Sequence, residues 1–424
     1  MRKSYIAVNI QFILAKDKSN EVIKTLINNP SINKKIYLVL EKFLNEDDFD
    51  MDICLASDTD IVEDIQIILA KNSNKKVQII LAANENICKA SQEILMQDLT
   101  EEIKINLVNN KNISEEIQNI FANDSDENIR KILASNLSIN LSTQFIFLHD
   151  QDRFVKANLA RNINIHKETQ LALLQEVDGF VKGCLAANPS INYDVQLKLL
   201  VDGYINDLAK NPKLHEKIQL KIIEDTRYDA SKLTENPNLV ELVQVKLFQS
   251  YKMDKIRNSY YLGQLAKNPN LIESIQLEMA KFDPYETEYS ITSYQKELCS
   301  ALSCNKNLSA TTQLKLVEIG SYGLRNIIRS NLAESPNLTE EVQLRLFHDD
   351  YARSYLAKNH RISKSVQLQF VQDKDDWLRE CLATNPNIDE DIQLQLAKDI
   401  NRNVRANLLE NPNLLNSVKK LIIL

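Results

Sequence analysis

The feature of this chain that most constrains its fold is a repeat that runs along almost its whole length. Fifteen units align on one polar position, and seven of the fourteen spacings between these anchor positions are 26 residues. Leu stands three residues before every anchor, Ile or Leu stands three residues after it, and eight of the nine prolines directly follow one. The anchors are Asn29, Asp58, Asn84, Asn110, Asn136, Asn162, Asn188, Asn211, Asn236, Asn268, Asn305, Ser335, Asn359, Asn385 and Asn411. A pattern this regular predicts a stack of similar structural units, each packed on the next.

Each unit has the pattern of two short helices joined by a turn. After Asn385, apolar residues recur at helical spacing in 392–397 and again in 404–409. Pro412 ends the second helix, because a residue before proline is pushed out of the helical conformation. Helices this short are marginal alone, so they must be stabilised by stacking. We therefore predict an all-α fold, an α-solenoid of about fifteen two-helix repeats with a typical period of 26 residues.

The regularity of the repeats divides the chain into three parts. We expect one continuous α-solenoid over residues 1–424, with regular repeats in 1–235 and again in 336–424. Residues 236–335 form longer, tyrosine-rich and less regular repeats between them.

The repeats resemble those of the variant leucine-rich repeat family and, more distantly, HEAT-like repeats. The resemblance covers nearly the whole chain and rests on segments such as LARN, LAKNPNL and IRKILASN, and on an apolar–basic pair in the second helix, as in Ile129-Arg130 and Val404-Arg405. It implies a right-handed superhelix of short helices, in which one helix of each pair can be 3₁₀, used for macromolecular interaction. This chain departs from the family in its somewhat longer unit. It also lacks the N-terminal cysteine cluster that carries an iron–sulfur centre in one known member, so no such cofactor is implied.

Glutamine fills the position eight residues after the anchor in every unit except the first and the last. At 100° per residue it falls near the middle of the apolar arc of the first helix. We expect these glutamines to be buried and hydrogen-bonded to loop backbone, because an unpaired buried amide is costly. The alternative is a glutamine-lined groove that recognises a ligand.

A second polar column, six residues before the anchor, is basic in two runs of four units. The residues are Lys104, Arg130, Lys156 and Lys182 in the first run, and Arg329, Arg353, Arg379 and Arg405 in the second. Stacked repeats would align each run so that it could follow a polyanion or an acidic peptide. Aspartates also recur near the end of the first helix, and the resemblance to HEAT-like repeats favours a structural ladder between these acids and the basic column. Both interpretations remain open from the sequence.

The tyrosine-rich middle is a candidate partner-binding segment. Its tyrosines are Tyr251, Tyr260, Tyr261, Tyr285, Tyr289 and Tyr294. Insertions in solenoids form loops that often lie on a binding face, and tyrosine is a favoured interface residue. The alternative is that longer helices simply carry more core aromatics.

The sequence contains no recognisable catalytic constellation. Its five histidines lie in distant repeats without metal-ligand spacing, and its six glycines provide no phosphate-binding loop. The six cysteines show no CxxC spacing, so we interpret them as reduced thiols of a cytoplasmic protein. We predict a protein that is not an enzyme, with no cofactor and no metal site.

These observations favour a scaffold that binds a protein or peptide partner along its superhelical surface. The alternative is a nucleic-acid-binding HEAT-like protein that uses the Lys/Arg ladder, although a net charge of −7 provides no global field for nucleic acid. No run approaches the roughly 20 apolar residues of a membrane helix, so no membrane partner is expected. Because neither end has an obvious polar cap, end-to-end self-association is a further expectation.

Overall fold

The computed structural model describes residues 8–17, 19–27, 36, 39, 49–253, 259–281, 293–319 and 324–423. All regular structure in these residues is helical, which confirms the predicted all-α array. The chain forms two compact units, Met1–Asn211 and Pro212–Leu424. The right-handed twist implied by the resemblance stays a prediction.

The first unit contains fifteen described α-helices. They are α1 Val8–Leu14, α2 Asn20–Ile27, α3 Phe49–Ser57, α4 Glu63–Ala70, α5 Lys75–Ala83, α6 Lys89–Leu95, α7 Glu101–Asn109, α8 Glu115–Ala122, α9 Glu127–Ser135, α10 Leu141–Leu148, α11 Arg153–Arg161, α12 Lys167–Leu173, α13 Gly179–Ala186, α14 Tyr193–Val201 and α15 Ile205–Ala209.

The second unit contains fourteen described α-helices and one 3₁₀ helix. They are α16 Glu216–Glu224, the 3₁₀ helix Ala230–Glu235, α17 Glu241–Met253, α18 Ser259–Ala266, α19 Glu273–Met279, α20 Ser293–Ser303, α21 Ala310–Val317, α22 Leu324–Ala333, α23 Glu340–Phe347, α24 Arg353–Lys358, α25 Lys364–Val371, α26 Asp376–Ala383, α27 Glu390–Leu396, α28 Arg402–Leu409 and α29 Asn416–Ile423.

The helices of each unit form two layers. The second helix of a repeat packs on the second helices of its neighbours, as α9, α11 and α13 do, and the first helices α8, α10 and α12 pack on one another in the same way. The repeated Leu before the anchor is fully buried between the layers, for example Leu133 and Leu159. A continuous core thus runs through each array, although no single pair of helices could enclose it.

Short polar side chains start the second helices. In α11, Asp152 Oδ1 accepts hydrogen bonds from the backbone N–H groups of Phe154 (2.6 Å) and Val155 (3.3 Å), which have no partner within the helix. The first helices can begin differently. Asp389 is the N-cap residue of the first helix α27, but its side chain makes no capping bond. Its backbone N–H donates instead to Gln367 Oε1 of the preceding repeat.

The anchor asparagines are buried and bond to the preceding repeat. Asn162 Nδ2 donates to the carbonyl oxygens of Ala134 (3.0 Å) and Asn136 (2.8 Å), and its Oδ1 accepts from the N–H of Asn164 (2.9 Å). The same bonds recur at Asn84, Asn110, Asn136 and Asn188 in the first unit and at Asn305, Asn359, Asn385 and Asn411 in the second. The anchor therefore ties the backbone of one repeat to the next.

The buried glutamines bond to the following repeat, which confirms the structural interpretation of this column. Gln92, which is 1% exposed, donates to the carbonyls of Ile87 (3.3 Å) and Asn112 (2.9 Å) and accepts from the N–H of Ser114 (2.9 Å). Equivalent sets of three bonds form at Gln66, Gln118, Gln144 and Gln170, and at Gln219, Gln244, Gln276, Gln313, Gln343, Gln367 and Gln393.

Candidate functional site

The predicted basic ladder lies between successive repeats. Each cation except Arg405 reaches an acidic side chain 20 residues further along the chain, at the end of the next first helix. The pairs in the first unit are Lys104–Asp124 (2.7 Å), Arg130–Asp150 (2.7 Å), Lys156–Glu176 (2.8 Å) and Lys182–Asp202 (3.8 Å). Those in the second are Arg329–Asp349 (2.5 Å), Arg353–Asp373 and Arg379–Asp399 (2.6 Å). Arg405 donates to the carbonyl oxygens of Asp399 and Ile400.

These ladder pairs are largely withdrawn from solvent. The Arg379 side chain is 11% exposed and that of Asp399 is 7% exposed. Arg379 also donates to the carbonyl of Asp373 (2.7 Å), so its guanidinium bridges two turns. A ligand that used this column would have to displace a carboxylate from each of the seven paired cations. Of the two interpretations left open by the sequence, the contacts support the structural ladder.

The ladder changes the ionisation of its acids. Burial by itself would raise the pKa of Asp399, but the hydrogen bond from Arg379 and that from the N–H of Asn401 outweigh it and hold this pKa below its usual range. The same balance, with Arg329 as the partner, lowers the pKa of Asp349. Both carboxylates are therefore held in the charged form that the ladder needs.

The tyrosine-rich segment is only partly within the described residues. Tyr251 is buried in α17, Tyr260 is exposed on α18, and Tyr261 stacks on Tyr251 with ring centroids 5.5 Å apart. The backbone of Tyr294 lies in α20, and nothing is described of its side chain. Tyr285 and Tyr289 lie outside the described residues.

A surface that the sequence interpretation missed lies on the second helices of the first unit. Phe154 on α11 and Phe180 on α13 stand at the same repeat position, eight residues before the anchor. Their side chains are 51% and 37% exposed, and their rings meet edge to face with centroids 5.8 Å apart. Exposed phenylalanines at equivalent positions of consecutive repeats form an apolar patch that the core does not use.

Cations lie over these two rings. Lys131 Nζ is 5.7 Å from the Phe154 ring centroid, and the guanidinium groups of Arg153 and Arg161 lie 4.8 Å and 5.3 Å from that of Phe180. Lys131 and Arg153 also pair with acids, at 3.2 Å from Asp152 and 2.9 Å from Asp178. The exposed Arg161 has no acidic partner among the described residues. We call Lys131, Phe154, Arg161 and Phe180 the Phe154–Phe180 surface.

An open groove of about 450 Å³ continues this surface towards the N-terminus of the unit. It lies across α7, α9 and α11, with Lys131 and Asn158 in its lining and the exposed Leu137 beside them. The shared Lys131 makes the groove and the Phe154–Phe180 surface one face, which combines apolar area with amide and ammonium donors.

The second unit repeats this arrangement. Trp377 on α26, the sole tryptophan of the chain, stands eight residues before its anchor and is 54% exposed. Lys358 Nζ of the preceding repeat lies 5.6 Å from its ring centroid, as Arg161 lies over Phe180. Tyr351 occupies the same repeat position and is also exposed. Aligning the repeats on the anchor would have shown this aromatic column, but sequence alone does not tell which side of a helix faces solvent.

The described residues contain no cluster of His, Cys, Asp or Glu that could hold a metal ion. None of their helices is long and apolar enough to cross a membrane. No protein-family model matches the chain, and no curated protein is similar to it in sequence.

Proposed function

We propose that this protein is a non-enzymatic, cytoplasmic scaffold that binds a protein or peptide partner, and that the partner docks on the Phe154–Phe180 surface. The observation that carries the proposal is the pair of exposed phenylalanine rings at one repeat position, with cations over them. The anchor asparagines, the glutamines and most of the basic ladder are used within the array. This surface is left for a partner.

The chemistry of the surface favours a peptide segment with apolar side chains and a carboxylate. Aromatic side chains and arginine are enriched in the parts of interfaces that carry the binding energy. Two rings provide apolar area, and Arg161 provides a guanidinium that can bind a carboxylate through two hydrogen bonds. Arg161 forms no ion pair among the described residues, so its guanidinium can pair with a carboxylate of the partner.

The proposal can be tested with peptides selected on the full-length protein from a random displayed library. Affinities of the selected peptides are measured by fluorescence anisotropy for the wild type and for the double variant Phe154→Ser, Phe180→Ser. We expect at least about a tenfold loss, because two exposed aromatic contacts are removed. The matched control is Ile120→Ser, Leu171→Ser, which removes equally exposed apolar side chains from the first helices.

Two results would overturn this assignment. One is a peptide set that binds the wild type and the Phe154→Ser, Phe180→Ser variant equally well. The other is preferential, salt-sensitive binding of single-stranded oligonucleotides, whose bases also stack on aromatic rings beside cations. A smaller loss for Arg161→Gln, confined to peptides that contain Asp or Glu, would support the carboxylate contact.

A further inference from the structure

The basic ladder is interrupted in the second unit, and a cavity lies at the interruption. In this repeat the ladder position, six residues before the anchor Asn236, holds Ala230. Ladder acids such as Asp349 stand fourteen residues after their anchors, and here Ser250 occupies that position. Both residues line a cavity of about 380 Å³ at the end of α17. The cavity thus lies where other repeats place an arginine or lysine and its carboxylate.

Three tyrosines form part of the remaining wall of the cavity. Tyr228, Tyr251 and Tyr261 line it, and the Tyr251 and Tyr261 rings are stacked at an interplanar angle of 24°. Tyr251 is only 7% exposed, and its buried hydroxyl has no hydrogen-bond partner among the described residues. Folded proteins nearly always satisfy such a group, so this hydroxyl points to a missing partner.

One carboxylate faces the same cavity. Asp229 Oδ1 accepts from the backbone N–H (3.1 Å) and the hydroxyl (2.5 Å) of Ser231, whereas its Oδ2 has no partner among the described residues. Lys246 also lines the cavity, but its ammonium is 2.6 Å from Glu224, which compensates its charge. Burial, followed by the charge of Asp229, raises the pKa of Tyr251, so its hydroxyl stays neutral. The cavity therefore combines aromatic rings, a phenol oxygen and the exposed carboxylate of Asp229, which has no ion-pair partner among the described residues.

We propose that this cavity binds the ammonium group of an alkylammonium ligand, such as a lysine side chain of a partner segment. Its N–H groups would donate to Asp229 Oδ2 and to the oxygen of Tyr251, and the tyrosine rings would contact the cation. The ligand would supply the positive charge that the array lacks at Ala230. No residue is shared with the Phe154–Phe180 surface, so this site stands or falls separately from the proposed function.

The probe is Nα-acetyl-lysine N-methylamide, titrated into the full-length protein and followed by ligand-observed NMR. The matching norleucine derivative has the same chain without the ammonium and serves as the neutral control. We expect saturable binding of the lysine derivative at millimolar concentration and none of the control. Equal binding of both compounds, or no saturable binding of the lysine derivative at tens of millimolar, would overturn the proposal.

Three variants locate the binding. Tyr251→Phe and Asp229→Asn should each weaken binding about tenfold, since each removes one hydrogen bond to a charged group. Asn retains the N-cap of the 3₁₀ helix at position 229. Ala230→Lys should abolish binding by filling the cavity with a tethered ammonium.

The variants also separate binding from folding. Tyr251→Phe should leave Tm unchanged or raise it, because it removes a buried hydroxyl that no described residue satisfies. Binding that persists undiminished in Tyr251→Phe and Asp229→Asn would place the ligand elsewhere and contradict the proposal.

Discussion

Replacing Gln92 by Ala tests whether the glutamine column holds the array together. The change removes three hydrogen bonds, those to Ile87 (3.3 Å), Asn112 (2.9 Å) and Ser114 (2.9 Å), at a side chain that is 1% exposed. The partners on the backbone are left without the amide, in a place that water reaches poorly. At about 1 kcal/mol net for each bond, the free energy of unfolding should fall by about 3 kcal/mol.

Two measurements check this expectation. Urea unfolding followed by circular dichroism gives the change in stability, and native-state hydrogen exchange reports on the junction itself. The amide of Ser114 loses its acceptor, so its exchange should accelerate more than that of amides several repeats away. This local readout matters because a repeat array need not unfold in a single step.

The matched control is Gln97→Ala, in the exposed turn after α6. A surface substitution of this kind should change the free energy of unfolding by no more than about 0.5 kcal/mol. The reasoning is refuted if Gln92→Ala and Gln97→Ala are equally stable and the exchange of Ser114 is unchanged. In that event the buried amide would contribute nothing beyond what water offers the same carbonyls.

Three further outcomes follow from the structure. Asn385→Ala should lower the free energy of unfolding in urea by about 2–3 kcal/mol, because it removes two hydrogen bonds to the preceding repeat and one to the N–H of Asn387. The control Asn387→Ala, at an exposed side chain with one such bond, should cost less than about 1 kcal/mol. Because the folded-state pKa of Asp399 is lowered, its contribution to the free energy of unfolding is present above the ordinary carboxyl pKa and is lost as the pH falls through the folded value. Asp399→Asn should therefore flatten the loss of stability below about pH 4, and an unchanged decline of stability in acid would contradict this. Burial raises the pKa of Cys299 to about 11, so iodoacetamide at pH 8 should alkylate the exposed Cys304 and spare Cys299, which peptide mass mapping can check.

A second asparagine column, two residues after the anchor, also bonds to the preceding repeat, and the sequence alone does not predict this role. The residue two after the anchor is asparagine in many repeats, and in Asn164 its Nδ2 donates to the carbonyl of Leu137 (2.9 Å). The same bond to the preceding repeat forms at Asn86, Asn112, Asn238, Asn270, Asn307, Asn337, Asn387 and Asn413. Asparagine is common in exposed loops, so its presence in the sequence does not indicate an inter-repeat hydrogen bond. That bond depends on the spacing of the stacked turns.

The sequence by itself determined the repeat, the two helices of each unit and the burial of the glutamine column. These follow from period and pattern, because an apolar stripe too wide for one short helix pair can be covered only by a neighbour. The sequence also placed Asp and Arg/Lys in columns, yet it left open whether the cations face a ligand or an acid.

Only the tertiary structure decided that question and located the remaining candidate sites. The pairing of Arg379 with Asp399 depends on the offset between stacked repeats. This offset places Arg379 Nε 2.6 Å from Asp399 Oδ2, although the two residues are 20 positions apart in the chain. The exposure of Phe154 and the cavity beside Ala230 also depend on this offset, since the neighbouring repeat determines how much of each surface is covered. A helical pattern fixes which residues share a face, but the fit between neighbouring repeats decides which of those faces remain open.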